Sequence, residues 1–331
     1  MGGSTLTRPH GSHAAIEQLK ARSATDRRRM LLVVNPYATT VSAPLRRLVV
    51  NGLSGPFEVD TVDTQARGHA TELCREAAQE DYDVVVAFGG DGTVNEAANG
   101  LLGSPTPLCC LPGGSANVFA KMLGIPSEIV DATAHLMSLA DDWRPRKVDL
   151  GVVNGRCFTF ASGLGLDASV VERVDANPRM KARFGPYYFA SVAARTFLER
   201  YLLSPPRLQL DAGGETHTGV TAIVQNGAPF TYFQDRPIEL ADDVALDSGA
   251  LAASVLHRTT PLGLPRIGWR ALSPRGRISA DRHVTGISEL TELTVRTADE
   301  RPLPLQVDGD YLGEVAVARY SILKEALTIV S

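Results

Sequence analysis

Short apolar runs rich in Val and Leu alternate with helix-like segments over the first half of the chain. Met30–Val34, Val84–Phe88 and Leu108–Leu111 are strand-sized and apolar on both faces, as buried parallel strands are. Phe57–Thr61 is a further strand-sized run, and helices are expected over Pro44–Val50, from Gly68-His69-Ala70 through Ala78, over Ala97–Leu102 and over Ile129–Leu139. This alternation predicts a doubly wound, Rossmann-like α/β domain with a ligand crevice at the carboxyl ends of its strands.

The pattern changes near Val148-Asp149-Leu150-Gly151. Asn154-Gly155 is set to close a hairpin between Val152-Val153 and Cys157–Phe160. Pro186–Leu203 is amphipathic, with Tyr187, Ala190, Ala194, Phe197, Leu198 and Tyr201 at helical spacing; the stripe reads as core or as the wall of an apolar pocket. Short β runs follow at 208–210, 220–225, 251–255, 290–297, 305–307, 315–317 and 327–330, which predicts an antiparallel β-sandwich or barrel. The expected organisation is a basic flexible tail (1–29), an α/β domain (30–146) and a β-rich domain (147–314), with 315–331 returning to complete the first.

Charge and composition narrow the partners. The 331 residues carry a net charge of −4, which gives no reason to expect nucleic acid. Cys74, Cys109, Cys110 and Cys157 lack metal-ligand spacing and read as reduced core thiols of a cytoplasmic protein. No apolar run reaches the roughly 18 residues of a membrane span, no signal peptide is visible, and Leu6 stands where a myristoylation motif needs Ser or Thr. Residues 1–29 hold six Arg and Lys against Glu17 and Asp26, a solvated tail or a tether to anionic lipid. Arg258, Arg266, Arg270, Arg275 and Arg277 are interleaved with Leu262, Leu264, Ile267, Trp269 and Leu272 without an acid. That segment reads as an interfacial helix at an anionic membrane or as a solvated cap on the sheet.

The densest chemistry lies between residues 84 and 120. Two strand-like runs each end in a glycine pair, Gly89-Gly90 and Gly113-Gly114, and each pair leads into a helix-like segment. Glycine lets the backbone approach a ligand, and a helix N-terminus offers free N–H groups to an anion. Thr93 and Ser115 add hydroxyl donors. Asp91 cannot donate to a phosphate, so it points to a metal or a reacting hydroxyl.

Gly89-Gly90-Asp91-Gly92-Thr93-Val94-Asn95-Glu96 and Leu111-Pro112-Gly113-Gly114-Ser115-Ala116-Asn117 resemble the paired motifs of the diacylglycerol kinase catalytic-domain family. The first motif is shared with NAD kinases; the second, at this spacing, is more specific. The resemblance implies an ATP-dependent lipid kinase that transfers the γ-phosphoryl group to a lipid hydroxyl, with diacylglycerol as the first expectation and a sphingoid or related lipid alcohol as the alternative. It implies ATP contacts at Asn35, Thr64, Gly89, Gly90, Gly92, Thr93, Asn95, Glu96, Gly113, Gly114 and Ser115. It further implies Mg²⁺ at Asp91 and an acceptor site at Gly163 and Asp167. Asp310 of Gln306-Val307-Asp308-Gly309-Asp310 stands where the family has the Glu that serves as base, so Asp310 and Asp91 are the catalytic candidates. Asp149 matches an Asp of the family. Gly163-Leu-Gly-Leu-Asp167-Ala also fits a dinucleotide fingerprint, but no strand ending in an acid follows about twenty residues on.

The chain departs from the family pattern in three places. No basic residue follows Asn35 until Arg46, Ser248 replaces the Asp of a metal-binding loop beside Asp247, and Asp310 replaces Glu. NAD kinase and a lipid-binding protein with a decayed kinase site are the rival readings. The expected partners are a lipid alcohol and an anionic inner-membrane surface, with a homodimer as an open state of assembly.

Overall fold

The computed structural model describes residues 27–331 apart from 203–204, 234–235, 242–243 and, within 259–277, all but Gly263, Arg266, Arg270 and Ser273. The expected tail, except its last three residues, and most of the interleaved 258–277 segment lie outside the described residues.

The first part is β1 (Arg28–Val34), α1 (Ala43–Leu53), β2 (Phe57–Asp63), α2 (His69–Gln79), β3 (Val84–Gly89), α3 (Asp91–Gly100), β4 (Leu108–Pro112), α4 (Val118–Met122) and α5 (Ile129–Ser138). The strands pair in parallel in the order β2-β1-β3-β4. Every residue of β3 and β4 is buried, because helices cover both faces of a parallel sheet. The order reverses between β1 and β3, the switch point at which open α/β sheets bind ligands.

The second part follows as β5 (Arg146–Val153), β6 (Arg156–Phe158), β7 (Ala161–Gly165), α6 (Leu166–Asp175) and α7 (Pro178–Thr196), which widens into a π turn over Phe197–Tyr201. Then come β8 (Leu208–Ala212), β9 (Glu215–Gly219), β10 (Thr221–Gln225), β11 (Thr231–Phe233), β12 (Arg236–Ile238) and β13 (Leu251–Leu256). The chain finishes with β14 (Val284–Leu290), β15 (Glu292–Thr297), β16 (Leu303–Val307), β17 (Asp310–Val315) and β18 (Val317–Ile329). A six-stranded antiparallel sheet, β14-β13-β10-β7-β16-β17, faces β18, β15 and β8 of the larger sheet. Between them lies a core that includes Phe158, Leu164, Leu210, Val224, Val255, Val295, Leu305 and Tyr320.

The larger sheet does not stop where the parallel strands stop. β18 pairs with β15 through Val317–Ser321, with β5 through Tyr320–Ile329, and in parallel with Leu108 of β4 through Ile329. Leu327 and Ile329 therefore sit in the α/β core, whereas Ala318 and Tyr320 sit in the sandwich core. β5 is divided the same way: Val148 and Leu150 face the first core and Val153 the second.

Several expected elements differ in their bounds. α3 begins at Asp91, a turn and a half before Ala97, because Gly90 serves as its N-cap. The amphipathic helix begins at Pro178, not Pro186, since a proline is well placed in a first turn. Its stripe divides: Phe197 and Tyr201 are buried, while Tyr187 and Leu198 are exposed. The run 290–297 is two strands broken at Thr291, and 315–317 joins β17 to β18. The hairpin at Asn154-Gly155 forms as expected, with both residues at positive φ (48° and 84°) and Val153 opposite Arg156. Arg266 and Arg270 of the interleaved segment are engaged within the fold. Both reach the buried carboxylate of Asp281, at 2.8 and 3.5 Å, an acid that lies beyond the segment read as having none.

Asp149 braces the fold. Its carboxylate accepts the N–H of Gly249 at 2.7 Å and that of Glu325 at 2.8 Å. Glu325 takes a positive φ of 51° where the β18–β5 register shifts between Leu323 and Leu327. Ser248 turns its hydroxyl to the carbonyls of Ala245 and Ala250. Asp149→Ala should destabilise the protein by about 3 kcal/mol, as expected when two charge-assisted bonds in a buried position are lost. Urea unfolding of the two proteins measures it; a loss under about 0.5 kcal/mol would show that the loop and bulge hold without the carboxylate.

Candidate active site

The carboxyl ends of the parallel strands are tied into one row by backbone hydrogen bonds. The Thr64 N–H donates to the Val34 carbonyl at 2.8 Å, that of Asn35 to Phe88 at 2.9 Å, and that of Gly113 to Gly89 at 2.9 Å. Thr64, Asn35 and the two glycine pairs thereby line the crevice at the switch point. Asn35 also accepts the Tyr37 N–H and donates from Nδ2 to the Thr93 hydroxyl at 3.0 Å.

The glycine pairs lie against each other. A Cβ added at Gly113 would stand 2.9 Å from the Gly89 Cα, and one added at Gly114 would stand 2.7 Å from the Gly90 Cα. Any side chain there would push the two loops apart. α3 has no side-chain cap at Gly90, so its first-turn N–H groups face the crevice unpaired by a capping group. The second pair differs from expectation. Asn117 closes the turn after it, accepting the Gly114 N–H and donating to the Gly114 carbonyl, both at 2.8 Å. Only the five-residue α4 follows, and Ser115 stays exposed on the turn.

Asp91 opens α3 and accepts the Phe119 N–H at 3.2 Å. Burial pushes its carboxyl up to about 7, against the pull of that N–H, and the nearby carboxylates of Asp308 and Asp310 push it further. Asp310 comes from the other part of the molecule, at the start of β17. Its carboxylate lies against Gly92, where an added Cβ would fall 2.6 Å from Oδ2. Arg67, in the β2–α2 connection, reaches the same oxygen at 3.6 Å.

Asn95 and Glu96 lie inside α3, not at its opening, and spend their side chains on the protein. The Glu96 carboxylate accepts the N–H groups of Gly68 and Ala70 at 2.7 and 3.2 Å, which caps α2. Asn95 is buried; it donates to Asp308 and to the Cys157 carbonyl, and accepts from Arg156 at 2.6 Å. Both side chains thus tie α3 to other parts of the protein.

Asp308 holds the turn that presents Asp310. It is buried, and its two oxygens accept from Asn95, the Thr159 N–H and hydroxyl, and the N–H groups of Phe160 and Ala161, all within 3.1 Å. Burial pushes its carboxyl up while these donors pull it down. Gly163 and Asp167 meet on the adjacent strand end: an added Cβ at Gly163 would strike Asp167 Oδ2 at 2.1 Å. Gln306 joins this acid to the turn, donating to Asp167 at 2.8 Å and accepting the Gly309 N–H at 2.9 Å. Burial pushes the Asp167 carboxyl up to about 6, opposed by the Gln306 bond.

The structure thus places Asn35, Thr64, Gly89, Gly90, Gly92, Thr93, Gly113, Gly114, Asp91 and Asp310 around one crevice, with Asp167 linked to it through Gln306. Arg67 and Gln306 escaped the sequence reading. Nothing local marks Arg67, whereas Gln306 stands two residues before Asp308 and could have been suspected from that proximity. Among the described residues no three His, Cys, Asp or Glu side chains converge to hold a metal by themselves.

Comparison with known proteins agrees with this geometry. Residues 29–153 match the diacylglycerol kinase catalytic domain. A diacylglycerol kinase of Bacillus subtilis (strain 168) is 28% identical over 261 residues, covering 78% of this chain and 80% of that protein. One from Staphylococcus carnosus (strain TM300) is 26% identical over 310 residues, 92% of this chain and 95% of that protein. A crystal structure of a diacylglycerol kinase from Bacillus anthracis str. Sterne superposes with a TM-score of 0.71 at 24% identity, covering 92% of this chain and 97% of that one. These likenesses support the diacylglycerol kinase catalytic-domain family and a lipid kinase activity for this chain.

Proposed function

We propose that this lipid kinase transfers the γ-phosphoryl group of ATP to the free hydroxyl of diacylglycerol, giving phosphatidic acid. The observation that carries the reading is the meeting of Asp310 with Gly92: a carboxylate from the β-rich part stands over the N-terminus of α3, beside the stacked glycine pairs. Diacylglycerol is the named substrate of the Bacillus subtilis and Staphylococcus carnosus relatives.

Phosphoryl transfer needs positioning and charge stabilisation more than covalent chemistry from the protein. The Gly89–Thr93 and Gly113–Ser115 loops have the close backbone approach that a polyphosphate requires. Asp91 offers a single carboxylate, which suits Mg²⁺, an ion held largely by phosphate oxygens and water; when bound it would neutralise charge on the phosphates. Asp310 accepts the proton of the lipid hydroxyl as that oxygen bonds to the terminal phosphorus and the bond to ADP breaks. Asp167, fixed by Gln306, orients the acceptor beside it. The lipid is drawn from an anionic membrane surface; no helix among the described residues is long and apolar enough to cross one.

Asp310→Asn should lower kcat on diacylglycerol by on the order of 10²-fold or more while ATP binding is retained. Radiolabelled ATP with diacylglycerol vesicles measures it, and near-normal turnover would remove Asp310 from the base role. Asp91→Asn should abolish transfer with a melting temperature no lower than that of the wild type, since its carboxyl is also pushed up by burial.

Asp167 yields a pH prediction. Its carboxyl is pushed up to about 6 in the fold from an ordinary value near 4. The folded state therefore binds more protons than the unfolded chain between those values, and stability falls as pH rises through them. Asp167→Asn keeps the Gln306 bond but cannot ionise. It should be more stable than wild type by about 2 kcal/mol above pH 6, with the gain gone below pH 4. Melting curves across that range decide; a gain independent of pH would mean that ionisation of Asp167 is not its source.

A further inference from the structure

We infer that Arg67 is a phosphate-binding residue of this site, held on Asp310 until nucleotide arrives and then transferred to its terminal phosphate. The inference rests on the kinase reading above and adds to it a residue that the motifs do not contain.

Three observations lead there. The first is that Arg46, Arg156 and Lys121, described cations that could serve a phosphate, already have partners. Tyr37–Thr40, directly after the Asn35-Pro36 turn, contains no base. Arg46, the next one, is bound to Asp63 at 2.8 Å. Arg156 donates to Asn95 at 2.6 Å, and Lys121 lies over the Tyr232 ring at 4.6 Å. A triphosphate entering the crevice would add its charge to that of Asp91 and Asp310, and like charges so close repel strongly where water is scarce.

The second observation is how Arg67 is mounted. Its loop is fixed from below, because Glu96 accepts the Gly68 N–H at 2.7 Å and the Ala70 N–H at 3.2 Å. The side chain itself is 64% exposed. An anchored backbone with an exposed guanidinium suits a group that must change partners without moving the loop.

The third is the looseness of the present pair. Arg67 Nη2 stands 3.6 Å from Asp310 Oδ2, beyond good hydrogen-bond distance, and pairs this exposed contribute little. A phosphate offers the planar guanidinium fork two oxygens in matching geometry and more charge. Transfer of Arg67 to the phosphate also takes this cation away from Asp310, the acid placed to accept the proton of the lipid hydroxyl. Nucleotide binding and that change at the base become one event.

Calorimetric titration of ATP and ADP, each with Mg²⁺, into the full chain tests this without turnover. Arg67→Met should weaken ATP about tenfold or more and ADP less than about threefold, and Arg67→Lys should recover most of the ATP loss. Asp310→Asn should tighten ATP more in the Arg67 protein than in the Arg67→Met protein, because only the former has a cation to release. In turnover, Arg67→Met should lower kcat and raise KM for ATP, with KM for the lipid unchanged. Wild-type ATP affinity in Arg67→Met would overturn the inference; so would an equal loss for ADP, or an equal gain from Asp310→Asn in both backgrounds. A wild-type protein that binds no ATP would overturn the kinase reading and this inference with it, whereas one that binds ATP and phosphorylates diacylglycerol leaves the Arg67 outcomes to judge Arg67 alone.

Discussion

The site depends on one buried carboxylate. Asp308 gathers donors from α3, through Asn95, and from the Thr159–Ala161 segment that leads into β7. A buried charge is tolerable only when its lone pairs are filled, and here the filling is supplied by both parts of the molecule. The turn at Asp308-Gly309, with φ of 48° and 82°, is therefore fixed relative to the glycine loops, and Asp310 is fixed with it. The placement of Asp310 in this fold is the by-product of satisfying Asp308.

Around that joint the polar side chains divide their labour. Asn95 must present Nδ2 to Asp308, which turns its oxygen toward Arg156. Glu96, its neighbour, faces the other way and holds the start of α2. Two consecutive residues of one motif thus lock α3 to the β-rich part and to the next helix. Pre-organisation of this kind lets a site act through backbone amides and a few carboxylates, because little has to rearrange when charge moves.

Much of this was legible in the chain. The runs at 30–34, 84–88 and 108–111 declare themselves by being apolar on both faces, and the glycine pairs mark where backbones must meet. Asp310 was found by its place in a motif. What the sequence hid is long-range pairing. Glu96 reads as a ligand group until Gly68 and Ala70 are seen beneath it. Arg266 and Arg270 show no acid within their own segment, and their shared partner Asp281 lies beyond it. Arg67 has no local signature, since its meaning comes from an acid more than two hundred residues away. β18 was expected as a final segment, 315–331, returning to the first domain; what the sequence did not show is the bulge at Glu325 that shifts its register against β5.

That long strand carries a consequence for how the protein can be divided. The stretch 29–153 that matches the catalytic domain contains the glycine loops and four parallel strands, and on paper it is a module. Its core nevertheless borrows Leu327 and Ile329 from β18, and β5, its last strand, has β18 as its principal neighbour. Cut free, it would present β5 as a bare edge with an apolar groove beside it, an invitation to pair with another copy. The same strand, a few residues earlier, buries Ala318 and Tyr320 in the opposite core. The two halves therefore share a structural member in the way two rooms share a beam, and evolution can exchange neither without re-fitting the other.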